Sequence, residues 1–490
     1  MEYLEAQLRL QRARKFGSSS ERTVSGQQLL DLGGIFNEAE ATADPQAPEP
    51  DLTHVKPHKR KKKKRHRDEL LSGLPENIIH HQLSEEERVC SCCGHQRQVI
   101  REEISRELHV VPAQFSVDVH VTSVYGPCHC ENQTTPIITA SRPQRPSPNS
   151  IASPSAIAYT MDQKFTMGIP LYRQEQQWKR NGVDISRQTL SNWVVDNALM
   201  WLFPIWLLMK QYLLKQDIIK ADETTIAVIN VAGEIVRSKS YMWLYRSSGR
   251  AGPEIILLDY QPTRQGVHPA NFLTGFKGYL QTDGYTGYDQ VNDVIRLGCW
   301  SHGRRGFTDA IKAAGGELKA PRAVEGREFC NRLFELERDW ALCSPQERYD
   351  LRLLHSKPLL DDFLSWLQET KDQSSSQTYL GRAVKYCLNQ WTYLTNFLLD
   401  GRLDIDNNAS ERSIKSYVIC RKNFLFCQTE KGAQASAITF SIIESAKANG
   451  LKPFQYLEHL LTNLPNATTK QLDEFLPWSE SIPDHCRSSK

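Results

Sequence analysis

The sequence RLDIDNNASERSIKSYVICRKNFLF, residues 402–426, carries an acid whose surroundings guide the interpretation of the whole chain. Its short polar residues at 404–408 predict a turn and a helix N-cap, because such side chains accept hydrogen bonds from the first helical N–H groups. Glu411 then lies one turn into the helix, next to Arg412 and on the same face as Lys415. An acid among cations suits a carboxylate that holds a metal ion beside a polyanion. The alternative is an acid favoured at a helix N-terminus by the helix dipole.

Two further acids interrupt apolar, strand-like segments. Asp222 lies in the β-branched run IIKADETTIAVIN, and Asp283 lies in GYLQTDGYTGY before a glycine turn. A carboxylate in or at the end of a buried strand is costly unless it is paired or bound to metal. Together with Glu411, these acids predict a site for Mg²⁺ (or Mn²⁺). Two divalent ions about 3.5–4 Å apart activate a hydroxyl nucleophile and stabilise the leaving oxygen in phosphoryl transfer.

Length and composition predict a multidomain protein. A chain of 490 residues is too long for one core, and its 40% hydrophobic content is adequate for globular folding. The chain shows no signal-peptide pattern, and its most apolar stretch, WLFPIWLLM from Trp201, is too short to span a bilayer. Twelve cysteines without a secretory signal favour reduced thiols or metal ligands over disulfides. These features predict a cytoplasmic protein that does not enter a membrane.

The first 140 residues predict three regions. Residues 1–22 form a short helix, and residues 23–68 form a disordered linker that ends in the basic block KRKKKKRHR. This block predicts contacts with nucleic-acid phosphates, and the alternative is a solvated charged tail. Residues 69–140 are interpreted as a β-rich module with a possible structural Zn²⁺. Its four ligands would be Cys90, Cys93, Cys128 and Cys130. The second pair has C-x-C spacing, so Cys92, His95 or His129 are alternative ligands.

The remaining residues predict an alternation of helices and strands. Residues 150–215 resemble a helix-turn-helix, with Ser186 as N-cap of the last helix, although other small helical bundles share this pattern. Residues 216–320 and 400–450 predict an α/β core whose first three strands form an antiparallel meander. Residues 321–399 predict an α-helical insertion into that core, and residues 451–490 predict a helical segment and a loose tail.

Several uncommon strings occur in one order along the chain. ADETT, TDGYTGY, CWSHGRRGF, IDNNASER and RKNFLF together resemble the insertion sequence 66 family of bacterial transposases. The likeness runs from KFGSSSER near the amino terminus to SAKANGLKPFQYL. The resemblance implies a multidomain α+β protein with a ribonuclease-H-like α/β core, a mixed sheet and a helical insertion. A Cys-rich β module and a helix-turn-helix-like domain would precede this core.

The resemblance also implies the roles of individual residues. By motif match, Asp222, Asp283 and Glu411 would be the catalytic DDE acids and the ligands of Mg²⁺, with Glu223 and Asp406 as the rival assignments. The side chains implied along the DNA path are His302, Arg304, Arg305, Arg412, Lys415, Arg421 and Lys422. The alternatives are a buried imidazole for His302 and surface salt bridges for the cations. Two departures from the family are the displaced second Cys pair and a short amino-terminal coiled-coil segment.

The function implied is that of a nucleoid-associated bacterial DNA transposase. It would bind the terminal inverted repeats and target DNA as a homodimer or higher multimer, together with companion proteins encoded by the same element. It would catalyse metal-dependent strand cleavage and strand transfer. One alternative is an inactive DNA-binding regulator or decayed copy at the same ends. Another is a ribonuclease-H-like nuclease that acts on RNA–DNA hybrids or branched DNA.

Overall fold

A computed structural model describes residues 114–125, 129–130, 133–134, 138–231, 234–235, 239–250 and 252–488. The chain divides into two compact units, and the fold described here belongs to the unit that contains Val121–Lys490. The predicted amino-terminal helix, basic block and Cys90, Cys93 and Cys128 lie outside the described residues. Cys130 lies in a short strand, but its side chain is also outside them, so the zinc site stays a prediction.

Eleven strands and fourteen α-helices make up the described residues. The strands are β1 (Val124–Tyr125), β2 (His129–Cys130), β3 (Gln133–Thr134), β4 (Ile138–Thr139), β5 (Ile218–Val231), β6 (Glu234–Ile235), β7 (Lys239–Ser247), β8 (Ile256–Gln261), β9 (Gly278–Gln281), β10 (Val294–Leu297) and β11 (Phe426–Thr429). The helices are α1 (Pro154–Phe165), α2 (Leu171–Arg180), α3 (Arg187–Asn197), α4 (Phe203–Leu213), α5 (Val267–Phe272), α6 (Trp300–Ala314), α7 (Pro321–Asp339), α8 (Pro345–Leu351), α9 (Lys357–Gln373), α10 (Tyr379–Asn389), α11 (Trp391–Thr395), α12 (Asn408–Phe424), α13 (Glu430–Ala448) and α14 (Pro453–Asn463).

A mixed sheet forms the centre of the fold, with the strand order β10-β9-β5-β7-β8. β5, β7 and β8 are antiparallel neighbours, which confirms the meander predicted from the sequence. β9 and β10 run parallel to β5 on its other side, and β11 pairs in parallel with the far half of β5. The 14-residue β5 therefore lies at the middle of the sheet, and its β-branched residues suit that position.

The edge strand β8 is covered by helix α13. Ser441 Oγ accepts a hydrogen bond from the Leu258 N–H at 2.7 Å, and Ser445 Oγ accepts one from the Ile256 N–H at 2.9 Å. An uncovered edge strand would leave a row of backbone groups open to another chain. α13 begins at Glu430 and is buried along most of its length.

The helices α7 to α11 fall between β10 and α12, within the predicted insertion. They build an apolar cluster with α6 that contains the buried side chains of Trp300, Phe307 and Phe363. α6 lies close to α10 at Gly306, which has no side chain. A Cβ at this position would lie only 3.0 Å from the Cβ of Ala383. The insertion is therefore packed onto α6, the helix that follows β10.

The helices before the sheet include α3, whose predicted N-cap is confirmed because Ser186 Oγ accepts the Thr189 N–H. The apolar stretch from Trp201 lies within a longer helix. A π-helical turn joins α3 to α4, so Arg187–Leu213 is the one helix in the described part of the chain long and apolar enough to cross a membrane by length and composition. This helix packs inside the protein, where Trp206 Nε1–H donates to the Leu258 carbonyl at 3.2 Å and to Ser441 Oγ at 3.1 Å.

Candidate active site

The strand register brings Asp222 and Asp283 to adjacent positions. Lys220 of β5 pairs in parallel with Gln281, the last residue of β9. Asp222 and Asp283 lie two residues further along their segments, and residues two apart on a strand point to the same face. The Tyr285 N–H donates to Asp283 Oδ1 at 2.9 Å, which fixes the turn that the sequence Asp-Gly predicts.

Glu411 is positioned by contacts that hold the beginning of α12. Asn407 Nδ2–H donates to the Ala221 carbonyl at 2.7 Å, directly before Asp222. The Asn407 N–H donates to Cys299 Sγ at 3.2 Å, and the Trp300 N–H donates to the Ile405 carbonyl at 3.0 Å. α12 is therefore attached to both β5 and the beginning of α6. As predicted, Glu411 lies in the first turn of its helix.

The electrostatics of Asp222 differ from those of an ordinary surface acid. Burial raises the pKa of the Asp222 carboxyl to about 8, and the negative charges of Glu223, Asp283 and Glu411 contribute to this rise. The Glu223 N–H donates to Asp222 Oδ1 at 2.8 Å and opposes the shift. The structure thus brings the three sequence-predicted acids within electrostatic range of one another.

Glu411 has cationic neighbours on α6. Its carboxylate lies 3.5 Å from Arg305 Nη2 and 3.9 Å from His302 Nδ1. His302 and Arg305 are three residues apart, so they share one face of α6. This face is directed at Glu411, and the two residues predicted to contact DNA are also neighbours of a predicted catalytic acid.

The two rival acids have structural partners. The side chain of Glu223 is 2% exposed, and its carboxylate accepts hydrogen bonds from Tyr288 Oη at 2.7 Å and from Arg264. Asp406 Oδ1 accepts the Asn408 N–H at 3.1 Å, which makes it a capping residue for α12. Both carboxylates are thereby oriented by their partners, whereas Asp222 and Asp283 form no ion pair among the described residues.

The other cations predicted along a DNA path lie in different environments. Arg304 Nε–H donates to Asn331 Oδ1 at 2.6 Å and so connects α6 to α7. Arg421 Nη1 donates to the hydroxyls of Thr224 and Thr225 at 3.2 Å and so connects α12 to β5. The exposed residues of this set on α12 are Arg412, Lys415 and Lys422.

The chemistry of the donor set suits a hard divalent cation, although the side chains are not gathered around one point. In the part of the chain that the structure describes, no group of three or more His, Cys, Asp or Glu side chains is arranged to hold a metal ion. Burial, and after it the neighbouring carboxylates, raises the pKa of Asp222, and carboxylate oxygens are the ligands that Mg²⁺ prefers. Asp222 and Asp283 are the residues that fit such an ion.

Sequence reasoning missed three residues that orient this site. Tyr288 lies inside the quoted TDGYTGY string, so the motif itself contained a signal for it. Asn407 was interpreted only as part of the turn and cap, although its side chain bonds to β5. Arg264 follows β8 in a loop, where nothing in the local sequence indicates its contact with Glu223.

The family model described as "Transposase IS66 family" matches residues 149–435, which is more than half of the chain. The chain belongs to the IS66 transposase family. A second model of this family, described as "IS66 C-terminal element", matches residues 441–478. A third, described as "Transposase C of IS166 homeodomain", matches residues 3–79. The first match includes Asp222, Asp283 and Glu411.

Relatives of this IS66 family member occur in Sinorhizobium fredii (strain NBRC 101917 / NGR234). The uncharacterized protein y4jD is 30% identical over 469 residues, which cover 92% of this chain and 89% of the relative. The uncharacterized protein y4hP is 29% identical over 409 residues, which cover 79% of this chain and 73% of the relative. The uncharacterized protein y4qI is 27% identical over 417 residues, which cover 81% of this chain and 75% of the relative.

Proposed function

We propose that this IS66 family member is a DNA transposase that cleaves and joins strands at the ends of its element. In this proposal Asp222, Asp283 and Glu411 form the DDE triad. The observation that carries it is the set of three carboxylates on β5, after β9 and on α12, whose charges act on one another across 189 residues of sequence. The substrates are double-stranded terminal inverted repeats and target DNA.

The sheet topology supports a ribonuclease-H-like core. Three antiparallel strands (β5, β7 and β8) are followed by two parallel strands (β9 and β10) on the other side of β5. Within such a core, the central strand and its parallel neighbour deliver side chains to one end of the sheet. The helices α7 to α11 lengthen the connection to α12 without displacing α12 from β5, because Asn407 bonds directly to Ala221.

Catalysis in this proposal depends on charge and position. Asp222 holds a proton near neutral pH because of burial and neighbouring acids, and it loses that proton when positive charge enters the site. Arg305 and His302 lie beside the Glu411 carboxylate. A divalent ion at Asp222 and Asp283 would supply charge neutralisation and a more acidic hydroxyl nucleophile. Tyr288 and Arg264 orient Glu223 behind the site.

The experiment that tests the proposal is cleavage of a terminal-repeat duplex by Asp283→Asn. We expect at least about a 10³-fold loss of cleavage, because several kcal/mol of charge stabilisation depend on the metal site and each 1.36 kcal/mol is tenfold in rate. DNA binding in a gel-shift assay should be retained. Asp361→Asn, at an exposed position of α9, is the matched control and should cleave normally. Unchanged cleavage by Asp283→Asn would refute the assignment.

A second candidate is a DNA-binding regulator without catalysis. The observation that favours it is the absence, among the residues described, of three acids gathered tightly enough for one metal ion. A strand-transfer assay with a preformed end duplex and Mn²⁺ separates the two functions. Joined product supports the transposase, and binding without any product supports the regulator.

The assembly and the amino-terminal residues complete the proposal. We propose that the protein acts as a homodimer or higher multimer with companion proteins of the same element, that the basic block contacts DNA phosphates, and that Cys90, Cys93, Cys128 and Cys130 hold Zn²⁺. The family suggests a protein that acts on DNA in the bacterial cytoplasm. Zinc content measured by mass spectrometry before and after Cys93→Ser tests the metal: loss of about one zinc per chain is expected.

A further inference from the structure

A basic pocket opens beside the beginning of α12, and none of the three candidate catalytic acids lines it. It has a volume of about 590 Å³ and lies between the helical insertion, the β7–β8 region and the beginning of α12. We call it the arginine pocket. The cations that line it are Lys220, Arg246, Arg250, Arg338, Arg348 and Arg412, and they outnumber its acids, which are Glu254, Glu337, Asp404 and Asp406.

Three of the four acids of the arginine pocket have cationic partners, and the fourth, Asp406, accepts the Asn408 N–H. Asp404 accepts from Lys220 Nζ at 2.6 Å and also from Arg250. Glu254 pairs with Arg246 at 2.7 Å. Glu337 lies 2.7 Å from Arg352, a buried residue behind the pocket. Most of the negative charge that lines the pocket is therefore already paired.

Arg348 is the buried cation with an unsatisfied donor. The residue is 4% exposed, and its Nε has no hydrogen-bond partner among the described residues. Burial lowers the pKa of Arg348, and the positive charges of Arg250 and Arg352 lower it further. A buried donor without a partner is destabilising, and a bound acceptor would relieve that cost.

Two further features direct positive potential into the arginine pocket. Arg412 lines it and forms no ion pair or hydrogen bond within the part of the chain that the structure describes. Ala409, in the first turn of the 17-residue helix α12, also lines it. The first turn of a helix has free N–H groups and the positive end of the helix dipole, which together favour phosphate and other anions.

We propose that the arginine pocket binds a phosphate group of the DNA backbone, at a site separate from the three catalytic acids. Arg348 supplies the buried donor, Arg412 supplies an exposed charge from α12, and Arg338 supplies another from α7. Arginine suits this role because its planar fork donates two parallel hydrogen bonds to one phosphate. The claim that the bound phosphate belongs to DNA rests on the proposed function. The claim that the pocket binds an anion does not depend on it.

The test measures how the affinity for a fluorescein-labelled duplex depends on salt in the full chain, with EDTA present so that no cleavage occurs. For duplex DNA, each lost phosphate contact reduces the slope of log K against log salt by about 0.9. We expect Arg412→Gln to show this reduction and Arg348→Gln to bind at least tenfold more weakly. Arg332→Gln, at an exposed position of α7 outside the pocket, is the matched control for Arg338→Gln and should keep the wild-type slope.

A second arm uses inorganic pyrophosphate as the probe, with binding measured by calorimetry. Pyrophosphate binding that Arg412→Gln weakens supports the anion site. If pyrophosphate binds and the DNA slopes do not change, the DNA assignment is overturned and the pocket takes a small phosphate compound. Unchanged slopes together with no pyrophosphate binding overturn the whole proposal. Because Arg348→Gln alters a buried residue, the exposed Arg412→Gln and Arg338→Gln keep the test valid if that variant does not fold.

Failure of the proposed function has a different signature. If Asp283→Asn and wild type both lack cleavage but retain a DNA affinity whose salt slope falls in Arg412→Gln, only the catalytic assignment fails. If wild type cleaves and the slope of Arg412→Gln is unchanged, only the arginine pocket fails.

Discussion

Asp404 and Asp222 are both shifted by burial in the same direction, but the charges around them move the pKa values of the two carboxyl groups in opposite directions. Burial alone would raise the pKa of Asp404, but the charges of Lys220 and Arg250 outweigh it and lower that pKa. Burial raises the pKa of Asp222 to about 8, and the surrounding acids add to the shift. Lys220 and Asp222 are two residues apart on the same strand, so one face of β5 carries both a paired charge and an unpaired one.

This difference separates a structural acid from a candidate catalytic one. A carboxylate with two cationic partners has its charge satisfied and connects elements of the fold. A carboxylate beside other carboxylates keeps a repulsion that only added positive charge or a proton relieves, and such perturbed pairs concentrate at functional sites. Each of these acids follows an apolar residue in the sequence, and no local pattern tells which of them has a cationic partner.

The largest effect expected from this comparison is the destabilisation caused by Asp404→Asn. The change leaves the Lys220 ammonium, which is 2% exposed, without its carboxylate partner. Removing one partner of a buried pair costs about 3–5 kcal/mol. Chemical denaturation at pH 7 measures this loss, and the exposed Asp362→Asn is the control that should show no change.

The same pair predicts a pH dependence with a definite sign. The pKa of Asp404 is lower in the folded state, so its stabilisation is present above the unfolded value of about 3.9 and is lost as pH falls through the folded value. Wild type and Asp404→Asn should therefore differ in stability at pH 7 and converge in acid. A difference that stays constant down to pH 2 would show that the ion pair is not its cause.

An intermediate effect of opposite sign is expected for Asp222→Asn. The pKa of Asp222 is raised, so its contribution to stability is complete below about pH 4 and is lost as pH rises through about 8. The neutral amide removes this repulsion, and we expect a gain of about 1 kcal/mol at pH 8 in EDTA, or about 2–4 °C in Tm. Thermal unfolding at pH 4 and pH 8 checks this.

The Asp222→Asn result also sharpens the functional proposal. At pH 4 the variant and wild type should have the same Tm, and added Mg²⁺ at pH 8 should raise the Tm of wild type only, since binding to the folded state stabilises it. A variant that is less stable than wild type at pH 8 would mean that Asp222 is a structural acid like Asp404.

The smallest effect is expected for Arg305→Gln. Arg305 and Glu411 lie 3.5 Å apart, and both side chains are about one-third exposed. Ion pairs of this kind contribute about 0–1 kcal/mol and are screened by salt. Chemical denaturation at 0.05 M and 1 M NaCl should give a difference from wild type that is below about 1 kcal/mol and disappears at the higher salt. A loss as large as that of Asp404→Asn would place Glu411 with the structural acids.

The sequence predicted several elements well because their signals are local. The antiparallel strands β5, β7 and β8 follow from β-branched runs separated by turn residues, and Ser186 caps α3 as its side chain predicts. The helical insertion is visible in the apolar periodicity of residues 321–399. The continuity of the helix through Trp201 is not evident from the sequence, because a π-helical turn joins α3 to α4 and Pro204 lies in the first turn of α4, where proline is tolerated.

The sequence by itself determined the family and the order of strands and helices and predicted the three candidate acids, because motifs and hydrophobic periodicity are properties of short segments. Only the tertiary structure decided which acids are paired. The bonds from Asn407 to β5, from Lys220 to Asp404 and from Arg305 to Glu411 each join residues more than 100 positions apart. The pKa of a carboxylate depends on burial and on the charges that the fold brings near it, and no local pattern encodes that environment.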